Sequence, residues 1–358
     1  MSEDRLLHRF SGHSHAGHRE TVSVIEPDGV LTAVSIDRRG TLWTCDLVGD
    51  ACIKSSLELD AAGPEDDWYY ENGLWDPDEV EGPKIDVDAY EIVSELTVAH
   101  LDGRPVVVTG GGRHDLSTPL DWDLIGGAVR VWDLHTGRKT GRTMTGHDLG
   151  VTSLTTVASD QGLIAVSSCE SGILLASNLS RGGERVARIE GGFNGAMGAG
   201  LVDGRPVAVT GGHDDFLQAW DLLSGEQIGE NLAGIEPAAR TIAITEVNGR
   251  TMVVAGGDGN ALHRWDLVTQ EPVGAPMTGH TDRIQTLGTA TVAGRAIAVT
   301  GGGDATTRLW DLADGRQIGK PITGHRLQAV TEIAGTPAAV TRRTADGICV
   351  WDLALATR

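Results

Sequence analysis

Aromatic residues, cysteines, basic charge and long apolar runs are all scarce in this chain, and each shortage narrows what it can be. Its 358 residues include only nine Trp, three Phe and three Tyr. The four cysteines, Cys45, Cys52, Cys169 and Cys349, are scattered with no C-x-x-C pair, which points to buried free thiols. Asp and Glu number 50 against 29 Lys and Arg, a net charge of -21. Phosphate backbones are bound through clustered Lys and Arg, so nucleic acid is not an expected ligand. No run of 18 apolar residues occurs, and the opening "MSEDRLLHRF" has no apolar stretch of signal-peptide length. No membrane segment is therefore expected, and the location expected is cytoplasmic. No window of twelve residues has helical periodicity.

What is present is a globular composition, 40% hydrophobic with 49 Gly and 12 Pro. The length exceeds the usual single domain unless the architecture is a repeat or a barrel. A repeat is visible. "VRVWDL", "LQAWDL", "LHRWDL", "TRLWDL" and "ICVWDL" recur, with weaker copies in "TLWTCDL" and "LLASNL". Taking the Trp position as marker gives 43, 132, 177, 220, 265, 310 and 351, with gaps of 89, 45, 43, 45, 45 and 41. "TGH" and "RPVAVTGG" or its variants precede the markers. Each unit reads as four short strands: "IQTLGTATV" alternates, "AIAVT" is an apolar run, "TTRLW" alternates again and "RQIGKPI" is more polar. Four strands in about 43 residues is the period of a propeller blade.

On these motifs the chain resembles the WD-repeat β-propeller family over nearly its whole length. The "GRPVAVTGG…VRVWDL" phrasing is similar to that of bacterial WD-repeat proteins of actinomycetes. The resemblance implies an all-β, single-domain, seven-bladed propeller of four-stranded antiparallel blades. It also implies a hydrogen-bonded tetrad of His, Ser or Thr, Asp and Trp within a blade. One unit carries all four, as His280, Thr300, Asp304 and Trp310. A buried indole N–H needs an acceptor, and an Asp–His pair can orient one, so these residues are read as structural. Other units are partial: Thr210, Asp214 and Trp220 lack the His, Ala255 stands where a Thr is expected, and the unit at 177 has no Trp.

The first gap of 89 is nearly two units, but the sixteen residues from 60 to 75 cannot supply three strands and their turns. The surplus is read as insertion. The last unit stops three strands in, at "VWDLALATR", while "RLLHRFSGH" (5–13) matches "RQIGKPITGH" (316–325). The N-terminal strand is therefore expected to complete the last blade and remove an open sheet edge. His13, His15 and His18 raise the question of a metal, but H-x-H spacing alone does not specify one and no metal is expected.

Two insertions, about 60–91 and 113–127, would emerge from one face, because connections four-to-one and two-to-three of a blade lie on the same side. The first contains "DDWYYENGLWDPDE". From Glu58 to Glu91 it holds 13 Asp or Glu against one Lys. Long loops with bulky side chains of their own are usually functional or disordered, and the aromatics favour a packed lid. Asp67, Trp68, Tyr69, Tyr70, Trp75 and Asp76, with Arg113, His114 and Trp122 from the second insertion, form the expected binding surface. Aromatic faces beside carboxylates suit Arg- or Lys-rich peptides, or a cationic small molecule.

The function read from this is a protein- or peptide-binding scaffold, since no effector domain or nucleophile motif stands out. The alternative is a small-molecule-binding protein or enzyme with its site at the channel mouth under the insertions, where His114 beside Asp115 would be the weak catalytic candidates. No cofactor is expected.

Overall fold

The computed structural model describes residues 6–10, 21–25, 32–36, 41–46, 52–56, 91–114, 124–191, 195–212, 215–235, 238–333, 335–343 and 347–356. Among the described residues, 28 strands make seven four-stranded antiparallel sheets. Strand β1 (Leu6–Phe10) stands apart in sequence from its sheet. The first sheet is β2 (Thr21–Ile25), β3 (Thr32–Ile36), β4 (Thr41–Asp46) and β5 (Cys52–Ser56). The second is β6 (Glu91–Leu101), β7 (Arg104–His114), β8 (Leu124–Asp133) and β9 (Lys139–Thr145). The third is β10 (Val151–Ser159), β11 (Gly162–Cys169), β12 (Ile173–Asn178) and β13 (Glu184–Glu190). The fourth is β14 (Met197–Val202), β15 (Arg205–Gly211), β16 (Phe216–Asp221) and β17 (Leu232–Ala233). The fifth is β18 (Ala239–Val247), β19 (Arg250–Gly257), β20 (Ala261–Asp266) and β21 (Met277–Thr278). The sixth is β22 (Ile284–Val292), β23 (Arg295–Gly302), β24 (Thr306–Asp311) and β25 (Gln317–Thr323). The seventh is β26 (Arg326–Ile333), β27 (Thr336–Arg343) and β28 (Gly347–Asp352), with β1 paired to β28. A four-residue helix, α1 (Leu353–Ala356), follows β28.

The protein is all-β because its local patterns alternate at a period of two, and glycines such as Gly294 and Gly315 take the positive φ that many of its turns require. Every marker position, from Trp43 to Trp351, falls on the third strand of its sheet. The second strands are near-continuous apolar runs, with Ile297, Ala298 and Val299 fully buried, as strands covered on both faces must be. The outer strand shortens to two residues in the fourth and fifth sheets. In the fifth, Pro272 and Pro276 remove the N–H groups a ladder would use.

The core lies between neighbouring sheets. Val207, Val209 and Leu217 of the fourth sheet pack with Ile242, Val253 and Trp265 of the fifth. Val24 and Ala33 of the first pack with Ala338, Val340, Ile348 and Val350 of the seventh. Strand β1 runs antiparallel to β28, with Leu6 opposite Trp351 and Phe10 opposite Ile348.

Candidate functional site

Three features of the face that carries the Gly-His turns bear on function: the tetrad, the long ladder of the second sheet, and a cavity on the third. The tetrad is complete in the sixth sheet. Trp310 donates its indole N–H to Thr300 Oγ1 at 2.8 Å, and that hydroxyl lies 2.8 Å from His280 Nε2. One hydroxyl can accept from the indole and donate to the imidazole, which leaves Nδ1–H to donate to Asp304 Oδ2 at 3.0 Å. Burial holds His280 below the ordinary imidazole value although Asp304 favours the charged ring. Burial alone would raise the Asp304 carboxyl. Bonds from the Thr281 amide, the Thr306 hydroxyl and His280 instead hold it below the usual carboxylate value. The pair is thus a neutral ring on an ionised carboxylate.

The other sheets keep parts of this network. Trp132 donates to Thr109, Trp220 to Thr210 and Trp351 to Thr341. His325 meets Thr341 through Nδ1, the ring turned over relative to His280. Where Ala255 removes the hydroxyl, Trp265 turns to the Ala233 carbonyl of the preceding sheet at 2.9 Å. Asp214 lies outside the described residues.

Strands β6, β7 and β8 have 11, 11 and 10 residues, where the corresponding strands of the sixth sheet have 9, 8 and 6. The extra length lies at the Gly-His end. Glu91 is opposite Arg113, Arg113 opposite Ile125 and His114 opposite Leu124. Arg113 and His114, read from sequence as part of a loop, therefore lie on the ladder, and the connection between β7 and β8 narrows to residues 115–123. Asp67, Trp68, Tyr69, Tyr70, Trp75, Asp76, Asp115 and Trp122 lie outside the described residues. So do His13, His15 and His18.

Sequence reading missed the third feature. In this sheet His147 Nε2 is 2.8 Å from Ser167 Oγ, as His280 is from Thr300, but its buried Nδ1 has no hydrogen-bond partner. Ser177 replaces the Trp, and the space over the preceding glycine is held differently. A Cβ on Gly279 would meet the Arg308 guanidinium at 2.9 Å and the Trp310 ring at 3.1 Å, whereas one on Gly146 would meet the Arg185 guanidinium alone. Arg185 donates to the Thr145 carbonyl, and Arg188 donates to Gly146 O at 2.6 Å and to Glu190 at 2.9 Å. Burial, with Arg188 and Arg185 nearby, pushes His147 down to about 4. Beside it an open cavity of about 460 Å³ is bordered by Asp148, Ser171, Ile173, Arg188 and Glu190. The available signal was the loss of both Trp and Asp from one unit.

A repeating ion pair on the opposite face was also missed. Arg205 meets Asp221 at 2.5 Å, Arg250 meets Asp266 at 3.7 Å, and Arg295 meets Asp311. The constant spacing of sixteen residues was its sequence signal. Among the described residues, no group of His, Cys, Asp and Glu is arranged to hold a metal, and no helix is long and apolar enough to cross a membrane.

No known family model matches the chain, and no curated protein matches its sequence. Its fold does have solved counterparts. The crystal structure of the computationally designed Ika8 protein aligns over 97% of this chain and 99% of its own, with a TM-score of 0.60 and 20% identity. At that identity the likeness is one of fold. It defines the class, an all-β protein built from repeated four-stranded antiparallel sheets.

Proposed function

We propose that this protein is a seven-bladed WD-type β-propeller, closed by β1, that binds a basic peptide or protein segment on the face carrying the Gly-His turns. The pairing of β1 with β28, and the packing of the first sheet against the seventh, support the closed ring. In that ring each sheet is a blade and no long sheet edge is left open.

One observation carries the binding reading. The lengthened ladder of the second sheet ends at Glu91, His114 and Leu124, the points at which the acidic aromatic segment and residues 115–123 join the fold. Both insertions are thus rooted on one protruding platform. The segment from 58 to 91 contributes -12 of the net charge, which attracts Lys and Arg and repels phosphate backbones. Its Trp and Tyr residues offer faces for cations. Cys169 and Cys349 are buried and neither is in a disulfide.

Titration calorimetry with an Arg- and Lys-rich peptide tests the reading. It compares the intact chain with one in which residues 60–90 are replaced by a short Gly-Ser linker. The intact protein is expected to bind, and to bind more weakly as salt rises, because exposed charges are screened within about 8–10 Å. Trp68→Ala with Tyr70→Ala should cost about 1–2 kcal/mol per contact. Equal binding by the linker version overturns the assignment.

A further inference from the structure

We propose that the seam between the outer strands of the second and third sheets, β9 and β13, docks a short acidic segment of a partner protein. This surface is separate from the peptide-binding face of the second sheet and opposite to it in charge.

Its first support is charge that runs against the rest of the chain. Residues 134–146 contain Arg138, Lys139 and Arg142 and no acid. Residues 179–191 contain Arg181, Arg185 and Arg188 against Glu184 and Glu190. The equivalent stretches of the fourth and fifth sheets, 222–234 and 267–279, have no Lys or Arg and carry Glu226, Glu230 and Glu271. All six basic residues are exposed. Among the described residues, Lys139, Arg142, Arg181 and Arg185 make no ion pair, while Arg205, Arg250 and Arg295 each hold a carboxylate. A chain of net charge -21 thus keeps uncompensated cations on one part of its rim. Guarding an outer edge does not account for them. Strand β25 has the same seven residues as β9 and β13, and its only basic residue is Lys320.

The second support is that the guanidinium groups are held in place. Arg185 is opposite Ser177 and Arg188 opposite Leu175, so both stand on one face of the third sheet. Their bonds to the Thr145 and Gly146 carbonyls make it the face toward the second sheet. Arg142 crosses the other way, donating to Gly183 O from Nε at 3.1 Å and from Nη2 at 2.5 Å. The seam is therefore bridged from both sides. A carbonyl carries no net charge, so these bonds fix the heads without neutralising them. Each guanidinium has five N–H groups and spends only one or two of them here. The remainder are donors for carboxylates, and heads already ordered lose less freedom when a ligand arrives.

The flanks set the kind of anion. Glu184 and Glu190 bracket Arg185 and Arg188 on β13, about 20 Å apart along an extended strand. A long polyanion would meet like charge at each end and the acidic potential of the whole protein beyond. A few Asp or Glu residues in an otherwise uncharged segment fit between the two.

The test uses the full chain and a fluorescently labelled, short Glu-rich peptide, with anisotropy as the readout. The probes compared with it are the same peptide carrying Gln for Glu, and polyphosphate as a long polyanion. Saturable binding of the Glu peptide is expected, weakening as salt rises. The Gln peptide should not bind, and polyphosphate should bind more weakly. Arg142→Gln and Arg188→Gln should each weaken the Glu peptide about threefold to fivefold, the scale of one exposed charge pair. Arg142→Lys keeps the charge but loses the double bond to Gly183, and should fall between the parent and Arg142→Gln. Arg316→Gln, at an exposed Arg of the sixth sheet, should change nothing. Circular dichroism melts check that each variant folds. If Arg188→Gln does not, Lys139→Gln takes its place, because the Lys139 side chain makes no bond across the seam among the described residues. The version with residues 60–90 replaced by a linker should keep the acidic peptide while losing the basic one, so the two sites fail separately. The surface is overturned if the Gln peptide binds equally, if Arg316→Gln weakens binding as much as Arg142→Gln, if polyphosphate binds more tightly, or if the linker version loses the acidic peptide.

Discussion

The indole N–H of Trp265 donates to the backbone carbonyl of Ala233, 2.9 Å away in the preceding sheet, while Trp310 donates to Thr300 within its own. A single missing hydroxyl at Ala255 thus converts an intrasheet bond into an intersheet one. The two bonds should differ when cut. Trp310→Phe leaves Thr300, which is fully buried, without its indole donor and disturbs the His280 network. It should cost about 2–4 kcal/mol. Trp265→Phe frees a carbonyl on exposed Ala233, which water can satisfy, and should cost about 1–2 kcal/mol. Urea denaturation of both variants measures the difference, and equal losses would count against the cooperative network.

Much of the fold was legible in the sequence. The segment "IQTLGTATV" became β22 without change of boundary, and all seven markers fell on third strands. Period-two alternation and glycine turns act locally, so sequence displays them. The tetrad was legible where all four residues survive. The lone donor of His147 and the role of Arg185 were not, because both follow from what is missing at Ser171 and Ser177, and only packing reveals what fills a vacancy. The narrower connection at 115–123 was hidden for another reason. Arg113 and His114 are polar residues next to a loop, and their place on the ladder is set by cross-strand partners Glu91, Ile125 and Leu124.

Asp311 works twice, and the two tasks can be separated. Its Oδ1 accepts from the Ala313 amide at 2.8 Å, closing the turn to β25, while Oδ2 takes the Arg295 guanidinium. Burial would raise this carboxyl, but Arg295 and the turn amides hold it below its ordinary value. Asp311→Asn keeps a turn acceptor and loses the charge pair. Since Arg295 is half exposed, that change should cost no more than about 1 kcal/mol. Asp311→Ala loses both and should cost about 2 kcal/mol or more. Chemical denaturation of the pair distinguishes them, and identical losses would assign all the stability to the ion pair.

Removing residues 1–12 should expose the β28 edge that β1 covers. Strand β28 would lose its ladder partner from Ile348 to Trp351, and an unpaired edge is a template for association. The expected outcome is a large fall in the melting temperature together with concentration-dependent aggregation, read by calorimetry and light scattering. A synthetic peptide spanning residues 1–12, added back at high concentration, should partly restore the melt. An unchanged melt would show that the pairing contributes nothing.

His147 should make the protein sensitive to mild acid. Its folded-state value is lowered to about 4 from 6.5, first by burial and then by Arg188 and Arg185. The unfolded chain therefore binds the proton more readily, and stability must rise with pH over this range. The contribution is fully present above pH 6.5 and is lost progressively as pH falls toward 4, on the order of 3 kcal/mol in all. His263 and His280 are also lowered by burial and add to the same trend, so the measurement must isolate one ring. His147→Gln keeps a polar group near Ser167 without a titrating proton. Urea melts of this variant and the parent between pH 7 and 4.5 should show a shallower decline in the variant, with the two curves converging at the acidic end. Parallel curves would mean that His147 stays accessible to protons in the folded protein, and that its neighbours do not hold it neutral.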